Sequence, residues 1–299
     1  MGVGYTMQGV GSTLPRRRLG RLLRDLRHQT GITLEEAAHL IELSPSSLQR
    51  LETGQATRIR LVDIRELCRL YDADEVTAAG LLGLAQQATE KSWWNAYGGL
   101  IPPDFDVYVG LESAARQIFS YTPDAVLGLL QTPAYARVLA RSVYPNDSEE
   151  EMDQRMELKL KRQAKLTRKR HPVRLSVVLL ECALRRMVGS PRIMAAQLRH
   201  LADMSTRPNI DLRILPYRAG IPLGDPIGLF TILEFGTDNR GEVLEPPVVY
   251  LENFTGDLYL ETPDDVQRYH EAHQAIRRAA LDDVASRNFI RQIAKEFVP

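Results

Sequence analysis

The sequence predicts a multidomain chain: an all-α bundle at the N-terminus, followed by a larger mixed α/β domain with a partly antiparallel sheet flanked by helices. Three observations carry this. At roughly 100–200 residues per domain, a chain of 299 residues favours two domains. Up to about residue 90, short apolar stripes at helical spacing alternate with tight stops. Beyond the segment KSWWNAYGGLIPPDFD, rich in Gly, Pro and aromatics, β-branched runs of strand length are mixed with helical stretches. The expected organisation is a disordered start at 1–15, a helical domain at 16–90, a linker at 91–103 and an α/β domain at 104–299.

In the first domain, Leu19, Leu22, Leu23 and Leu26 form one stripe of a helix over 16–30, and Gly31 stops it. Thr33 begins a second helix, with Glu36 three residues on completing a capping box. Leu34, Ala37, Ala38 and Ile41 are its inward positions. Ser44 caps a third helix with Pro45 at its first position, where a missing N–H costs nothing. Leu48 and Leu51 face inward, and Gly54 ends it. A fourth helix is expected over 61–71, with Leu61, Ile64, Leu67 and Cys68 inward, and a fifth over 74–88.

In the second domain, helices are expected at 108–120, 133–142 and 191–205, with a long charged helix at 148–170. The run PVRLSVVLLE reads as a buried strand over 173–181. Further strands are expected at 210–215, 228–235, 248–252 and 258–261. Thr262 caps a helix running to about 280, and a last helix covers 282–297. The elements follow no strict βαβ rhythm, which favours a mixed sheet.

Composition excludes several classes. No stretch reaches the ~18 apolar residues of a membrane helix. The Gly-rich start has no apolar core of a signal peptide, so a cytoplasmic protein is expected. Cys68 and Cys182 lie in different predicted domains, and no disulfide is expected. The 38 basic and 38 acidic residues cancel overall, but not locally. Residues 1–70 hold eleven Arg, no Lys and seven acids, a surplus of four positive charges. Arg over Lys suits forked contacts to phosphates and bases.

The stretch TLEEAAHLIELSPSSLQRLE is two helices meeting across a short turn. The second buries Leu48 and Leu51, which leaves Pro45, Ser46, Gln49 and Arg50 outward as base-reading candidates. Small residues at its start let it sink into a major groove about 12 Å wide, where Arg50 can fork onto guanine and Gln49 can read adenine or touch backbone. Helix N-termini present free N–H groups to phosphates, which gives Thr33, Ser44 and Ser47 that role. Arg58 and Arg60, in the following loop, are placed on the sugar-phosphate backbone.

From RLLRDLRHQTGITLEEAAHLIELSPSSLQRLETG, residues 19–74 resemble the helix-turn-helix of Xre, or lambda-repressor-like, regulators. Two positions depart from that pattern. Leu34 stands where such proteins carry a phosphate-binding Gln, and Glu42 where the turn often has Gly. In the second domain YVGLESAARQIFSYTPDAVLGLLQTPAYAR, LRILPYRAG, GLFTILEF and VVYLEN resemble the C-terminal domain of actinobacterial WhiJ-like, antitoxin-like regulators. That resemblance implies a small cognate regulatory protein as partner.

Other features have two readings. Arg16, Arg17 and Arg18 are either a phosphate-gripping arm or a solvated helix start. KLKRQAKLTRKR (159–170) is either an extra DNA contact or, as favoured, a solvated helix balanced by Glu149, Glu150, Glu151 and Asp153 upstream. His270 and His273 have a spacing that can hold a metal, but without a third ligand an exposed helical face is favoured. Trp93 and Trp94 are expected to pack a seam between domains rather than stack a ligand. Glu181, Glu234, Asp238 and Glu252 lie on or near strands, and nothing in the sequence aligns them as an acid/base pair. There is no P-loop, no dinucleotide Gly motif, no Gly-x-Ser-x-Gly, no His-Glu-x-x-His and no paired Cys.

The expected function is therefore a sequence-specific transcriptional regulator that binds double-stranded operator DNA. A homodimer is expected, because one such domain covers few base pairs. No catalytic residue, cofactor or metal is expected. The larger domain is expected to bind the cognate protein, with a small-molecule sensor as the rival. A bundle that binds protein instead of DNA is the rival from outside the class.

Overall fold

The computed structural model describes residues 14–56, 58–90, 92–97, 99–237, 241 and 243–297. It divides into two compact units, residues 1–114 and 115–299. Most of the start expected to be disordered lies outside the described residues; Leu14 and Pro15 already belong to the first helix.

The first unit is all helix: α1 (Leu14–Thr30), α2 (Leu34–Leu40), α3 (Pro45–Glu52), α4 (Leu61–Leu70), α5 (Glu75–Thr89), a 3-10 turn (Trp93–Tyr97) and α6 (Pro103–Ala114). Its core joins Leu19 and Leu23 of α1, Ala37 and Ala38 of α2, Leu48 of α3, Ile64 and Leu67 of α4 and Leu81 of α5. Fully burying each of the larger side chains is worth about 1.5–3 kcal/mol. Helix α1 lies very close to α3. A Cβ on Gly20 would come 2.4 Å from the Leu51 carbonyl oxygen, so only glycine fits there.

The capping expected from sequence is present. Thr33 and Glu36 form the full capping box, and the hydroxyls of Ser44 and Thr262 accept from the N–H three residues on. The aromatic break is not a bare linker. Trp93 and Trp94 meet edge to face, 5.6 Å apart, and Trp93 Nε1 donates to Ser113 Oγ of α6 at 3.1 Å. These contacts lie within the first unit.

The second unit contains β1 (Gln117–Thr122), α7 (Pro133–Val143), α8 (Glu149–Thr167), β2 (Arg174–Leu180), α9 (Glu181–Arg185), α10 (Pro191–Met204) and β3 (Ile210–Leu215). It continues with β4 (Phe230–Glu234), β5 (Val248–Leu251), β6 (Leu258–Leu260), α11 (Pro263–Ala279) and α12 (Asp283–Glu296). One six-stranded sheet runs in the order β3-β2-β1-β4-β5-β6. The β1, β2 and β3 strands are parallel, and β1, β4, β5 and β6 are antiparallel. This is the mixed α/β architecture expected from sequence.

Two elements differ: a short helix, α9, follows β2 where none was expected, and the stretch before the first strand is divided differently. The helix expected over 108–120 ends at Ala114, and Gln117–Thr122 is the central strand of the sheet. Ile118 sits in register with Leu175 on one side and Leu233 on the other. The residue that opens this stretch, Arg116, is already paired by its N–H to the Glu234 carbonyl. The interior hydroxyl of Ser120 donates to the Phe230 carbonyl at 3.0 Å, so the strand centre leaves no unmet polar group there.

Helix α11 covers one face of the sheet, where Ile276 and Val266 join Tyr121, Val178, Phe230, Ile232 and Val249. The β3 edge is closed by the start of α12: Ser286 Oγ accepts from Ile214 N–H, and the Ile214 carbonyl accepts from Leu281 N–H, both at 2.9 Å. Closing an edge in this way removes a template for unwanted pairing. The motif Leu127–Thr132 forms a buried 3-10 turn whose backbone is met by glutamines. Gln197 Nε2 donates to the Leu130 carbonyl, Gln163 Nε2 to those of Gly128 and Gln131, and Gln131 Nε2 to that of Val126.

Candidate nucleic-acid interface

The first unit presents α3 on a rigid base. The turn from α2 passes through Glu42, whose φ of 57° puts a non-glycine residue in the left-handed region. The geometry usually supplied by glycine is thus kept, at a cost of about 1 kcal/mol in strain. Ser44 then caps α3: its Oγ accepts from Ser47 N–H at 3.2 Å and lies 3.1 Å and 2.8 Å from the hydroxyls of Ser46 and Ser47. Pro45, Ser46, Gln49 and Arg50 are exposed and Ser47 is half-buried, while Leu48 and Leu51 are buried. The guanidinium of Arg50 folds back to 3.4 Å from Ser47 Oγ.

The two helix starts differ in charge. The first turn of α3 holds no acid. That of α2 holds Glu35 and Glu36. The Glu36 carboxylate takes both the N–H and the hydroxyl of Thr33, at 3.0 and 2.9 Å, and the backbone hydrogen bond from Thr33 keeps its pKa below the usual carboxylate range. An anion approaching the N-terminus of α2 therefore meets a negative charge already seated there, whereas the N-terminus of α3 is open to a phosphate. Arg58 and Arg60 are exposed in the loop between α3 and α4. Arg60 Nη1 lies 3.6 Å from Asp63, the acid in the first turn of α4.

What fixes α3 from behind was not visible in the sequence. Arg27 of α1 forks onto Glu52 at the end of α3, at 2.8 and 2.9 Å, with exposures of 9% and 4%. Arg27 also donates to the Ile32 carbonyl at 3.2 Å. The pair spans α1, the α1–α2 loop and α3, locking the outward face in one orientation. Its hydrogen bonds to Glu52 hold the Arg27 pKa further above its ordinary value.

Several alternatives resolve. Arg16 is neither a phosphate arm nor a solvated start: it is buried, and it donates to the Ala88 carbonyl at 2.9 Å and the Ala56 carbonyl at 3.3 Å. His273 is not on an exposed face. It is 2% exposed on the buried face of α11, edge-on to Phe119 at 5.3 Å. His270 lies 3.2 Å from the Glu234 carboxylate. Glu181 accepts from Arg185 at 2.7 Å and from Tyr217 N–H at 3.0 Å. Glu252 is exposed, and Asp238 lies outside the described residues. In the basic run of α8, Lys161 pairs with Glu157 at 3.0 Å, but two of the four acids expected to balance the run turn elsewhere. Glu149 and Asp153 pair with Arg137 of α7 at 2.6 Å, and Lys165 is itself buried.

Comparison with known families places both units. A helix-turn-helix domain matches residues 18–81. With the geometry of α2 and α3, this defines the class: a DNA-binding regulator of the helix-turn-helix type. A domain of unknown function, DUF5753, matches residues 105–292, more than half of the chain, and the chain belongs to that family. No curated protein matches it. Among the described residues no helix is long and apolar enough to cross a membrane.

Proposed function

We propose that the chain is a sequence-specific transcriptional regulator of the Xre-like kind that binds a palindromic operator as a homodimer. Pro45, Ser46, Gln49 and Arg50 read base edges, and Ser44, Ser47, Arg58 and Arg60 hold phosphates, with Thr33 at the more acidic start of α2. The observation that carries this reading is the uncharged, serine-rich start of α3, exposed beside Arg50 and clamped from behind by Arg27 and Glu52. Arg50→Ala is expected to cost about 1–3 kcal/mol on the true operator and to relax one base position. Arg58→Ala is expected to weaken all sequences alike and lower the salt slope by about 1. Footprinting followed by titration at several salt concentrations measures both; undiminished operator affinity in a folded Arg50→Ala protein would overturn the assignment.

The larger unit is read as the receiver of a small cognate protein, in keeping with its likeness to WhiJ-like, antitoxin-like regulators, and as a binding rather than a catalytic module. Support comes from large apolar side chains standing out on two loops: Tyr217, Ile221 and Leu223 on one, Val243 on the other. Glu181 and Glu234, two acids of the sheet region, are each committed to partners. A partner changes DNA affinity only by preferring one of two states, and linkage makes the effect reciprocal. Pull-down with the full chain, then operator titration with the captured protein, tests this. A second reading, a small-molecule sensor, is favoured by a cavity beneath the first of these loops.

A further inference from the structure

Strand β4 lies on the far side of β1 from β2 and β3, so the connection leaving β3 must cross the sheet to reach it. It crosses at the carboxyl ends of the three parallel strands, which finish at Thr122, Leu180 and Leu215. In open α/β sheets the crevice outside the carboxyl ends, at the point where connections change direction, is the place where ligands bind. Here that crevice holds a cavity of about 220 Å³. Tyr121, Leu180, Leu215 and Ile276 wall it, and the exposed crossing connection, with Ile221, Asp225 and Ile227, covers it in part. Asp225 is the one charged residue that lines it among the described residues.

Two further features mark it as more than a packing gap. The connection holds itself by local turns, with Gly220 N–H on the Tyr217 carbonyl and Gly224 N–H on the Ile221 carbonyl, and both glycines sit in the left-handed region. The connection also leaves Ile221 59% exposed although it lines the cavity. A molecule seated beneath would take more of this apolar surface out of water.

We propose that this cavity binds a small apolar molecule, about one ring with a short side chain, that ends in a hydrogen-bond donor such as an amine or hydroxyl. The size follows from the volume: an apolar cavity of ~150 Å³ takes benzene, and pockets for drug-sized ligands begin near ~300 Å³. The polar end follows from sign, since the Asp225 carboxylate attracts a donor or cation and repels carboxylates and phosphates. Tyr121, whose phenol is neutral at physiological pH, adds a wall without charge. This inference deepens the small-molecule reading of the larger unit and stands apart from the DNA reading. A ligand here would also remodel the loop that displays Tyr217 and Leu223.

The test uses the full chain with isoleucine methyls labelled for NMR, and 2-phenylethylamine, 2-phenylethanol and phenylacetate as ligands. The amine and the alcohol are expected to shift the methyls of Ile221, Ile227 and Ile276 saturably, with phenylacetate about tenfold weaker. Asp225→Asn is expected to shrink that preference to about twofold or less. Ile227→Trp, or Leu223→Trp as a second plug on the exposed connection, is expected to abolish binding of all three. DNA binding by the same proteins is expected to persist, which keeps the two readings apart. The proposal is overturned if neither the amine nor the alcohol shifts these methyls in a DNA-binding protein. It is also overturned if a folded plug variant binds as before, or if Asp225→Asn leaves the preference intact.

Discussion

Two nitrogens of the Arg27 guanidinium go to Glu52, and both side chains are largely buried. Removing one partner leaves the other charge buried and alone. Arg27→Ala is therefore expected to cost about 3–5 kcal/mol in urea unfolding, while the double replacement Arg27→Met with Glu52→Leu should be close to neutral in stability. Operator affinity of that double variant reports how much the clamp positions α3 beyond holding the fold. Glu42 offers the opposite sign: Glu42→Gly should raise the urea midpoint by the equivalent of about 0.5–1 kcal/mol, because glycine takes the left-handed turn without strain. The outward residues of α3 were legible in the sequence because they are the remainder once Leu48 and Leu51 are assigned inward. Arg27 and Glu52 were not, since a pair 25 residues apart leaves no local signature. Arg16 was misread for the same reason: its acceptors are carbonyls of Ala56 and Ala88, distant in sequence.

Helices announce themselves through their ends, and this chain is dense in capping residues: Thr33, Ser44, Asp74, Thr132, Ser148, Ser190, Thr262 and Asp282 all accept from the third residue on. That is why the starts of these capped helices were legible nearly to the residue, whereas α6, expected from 108 and found from 103, and the uncapped α9 were not. Strand β1 was not. It follows the helix α6 after only two residues and is bounded by no Gly or Pro on that side, so the helical pattern of 108–114 ran on into it. Its identity comes from neighbours on both sides, which only the tertiary fold supplies. Helix α11 carries a pH effect of its own. Burial pushes His273 down to about 4, and Arg277 and His270 push the same way, while a backbone hydrogen bond with Ser176 and the charge of Asp211 oppose them. The unfolded chain binds a proton near pH 6.5 and the folded one only near 4, so this contribution is complete above 6.5 and is lost as pH falls toward 4. At 1.36 kcal/mol per pKa unit the loss is about 3 kcal/mol. Denaturant melts from pH 7 to 4 should show that slope, and His273→Phe should flatten it.

At the scale of the whole molecule, the proposed function gives the first unit the reading of DNA and the second the reception of a signal. A single helix-turn-helix covers few base pairs, so two half-sites about one helical turn apart call for a dimer. Light scattering is expected to give twice the mass of one chain on operator DNA; a monomer both free and bound would contradict the proposal. The legible part of this scale was the succession of a helical and a mixed unit; composition and periodicity change at the aromatic break, but the units part only after α6, at 114/115. The sheet order was not legible, since β1 itself was hidden and strand order follows from pairing at a distance.

The central place of β1 sets the timetable of synthesis. Its parallel neighbour β2 lies some 50 residues downstream and its antiparallel neighbour β4 roughly 110, as in the pairing of Tyr121 with Phe230. At ~5–20 residues per second, Ile118 and Tyr121 leave the ribosome about 5–25 s before β4 can pair with them. The helical unit, whose contacts are shorter in range, has time to fold well within that interval. Each nascent chain thus passes through a stage in which the helical unit can already be folded while β1, even once joined by β2, still shows to water the edge that β4 takes.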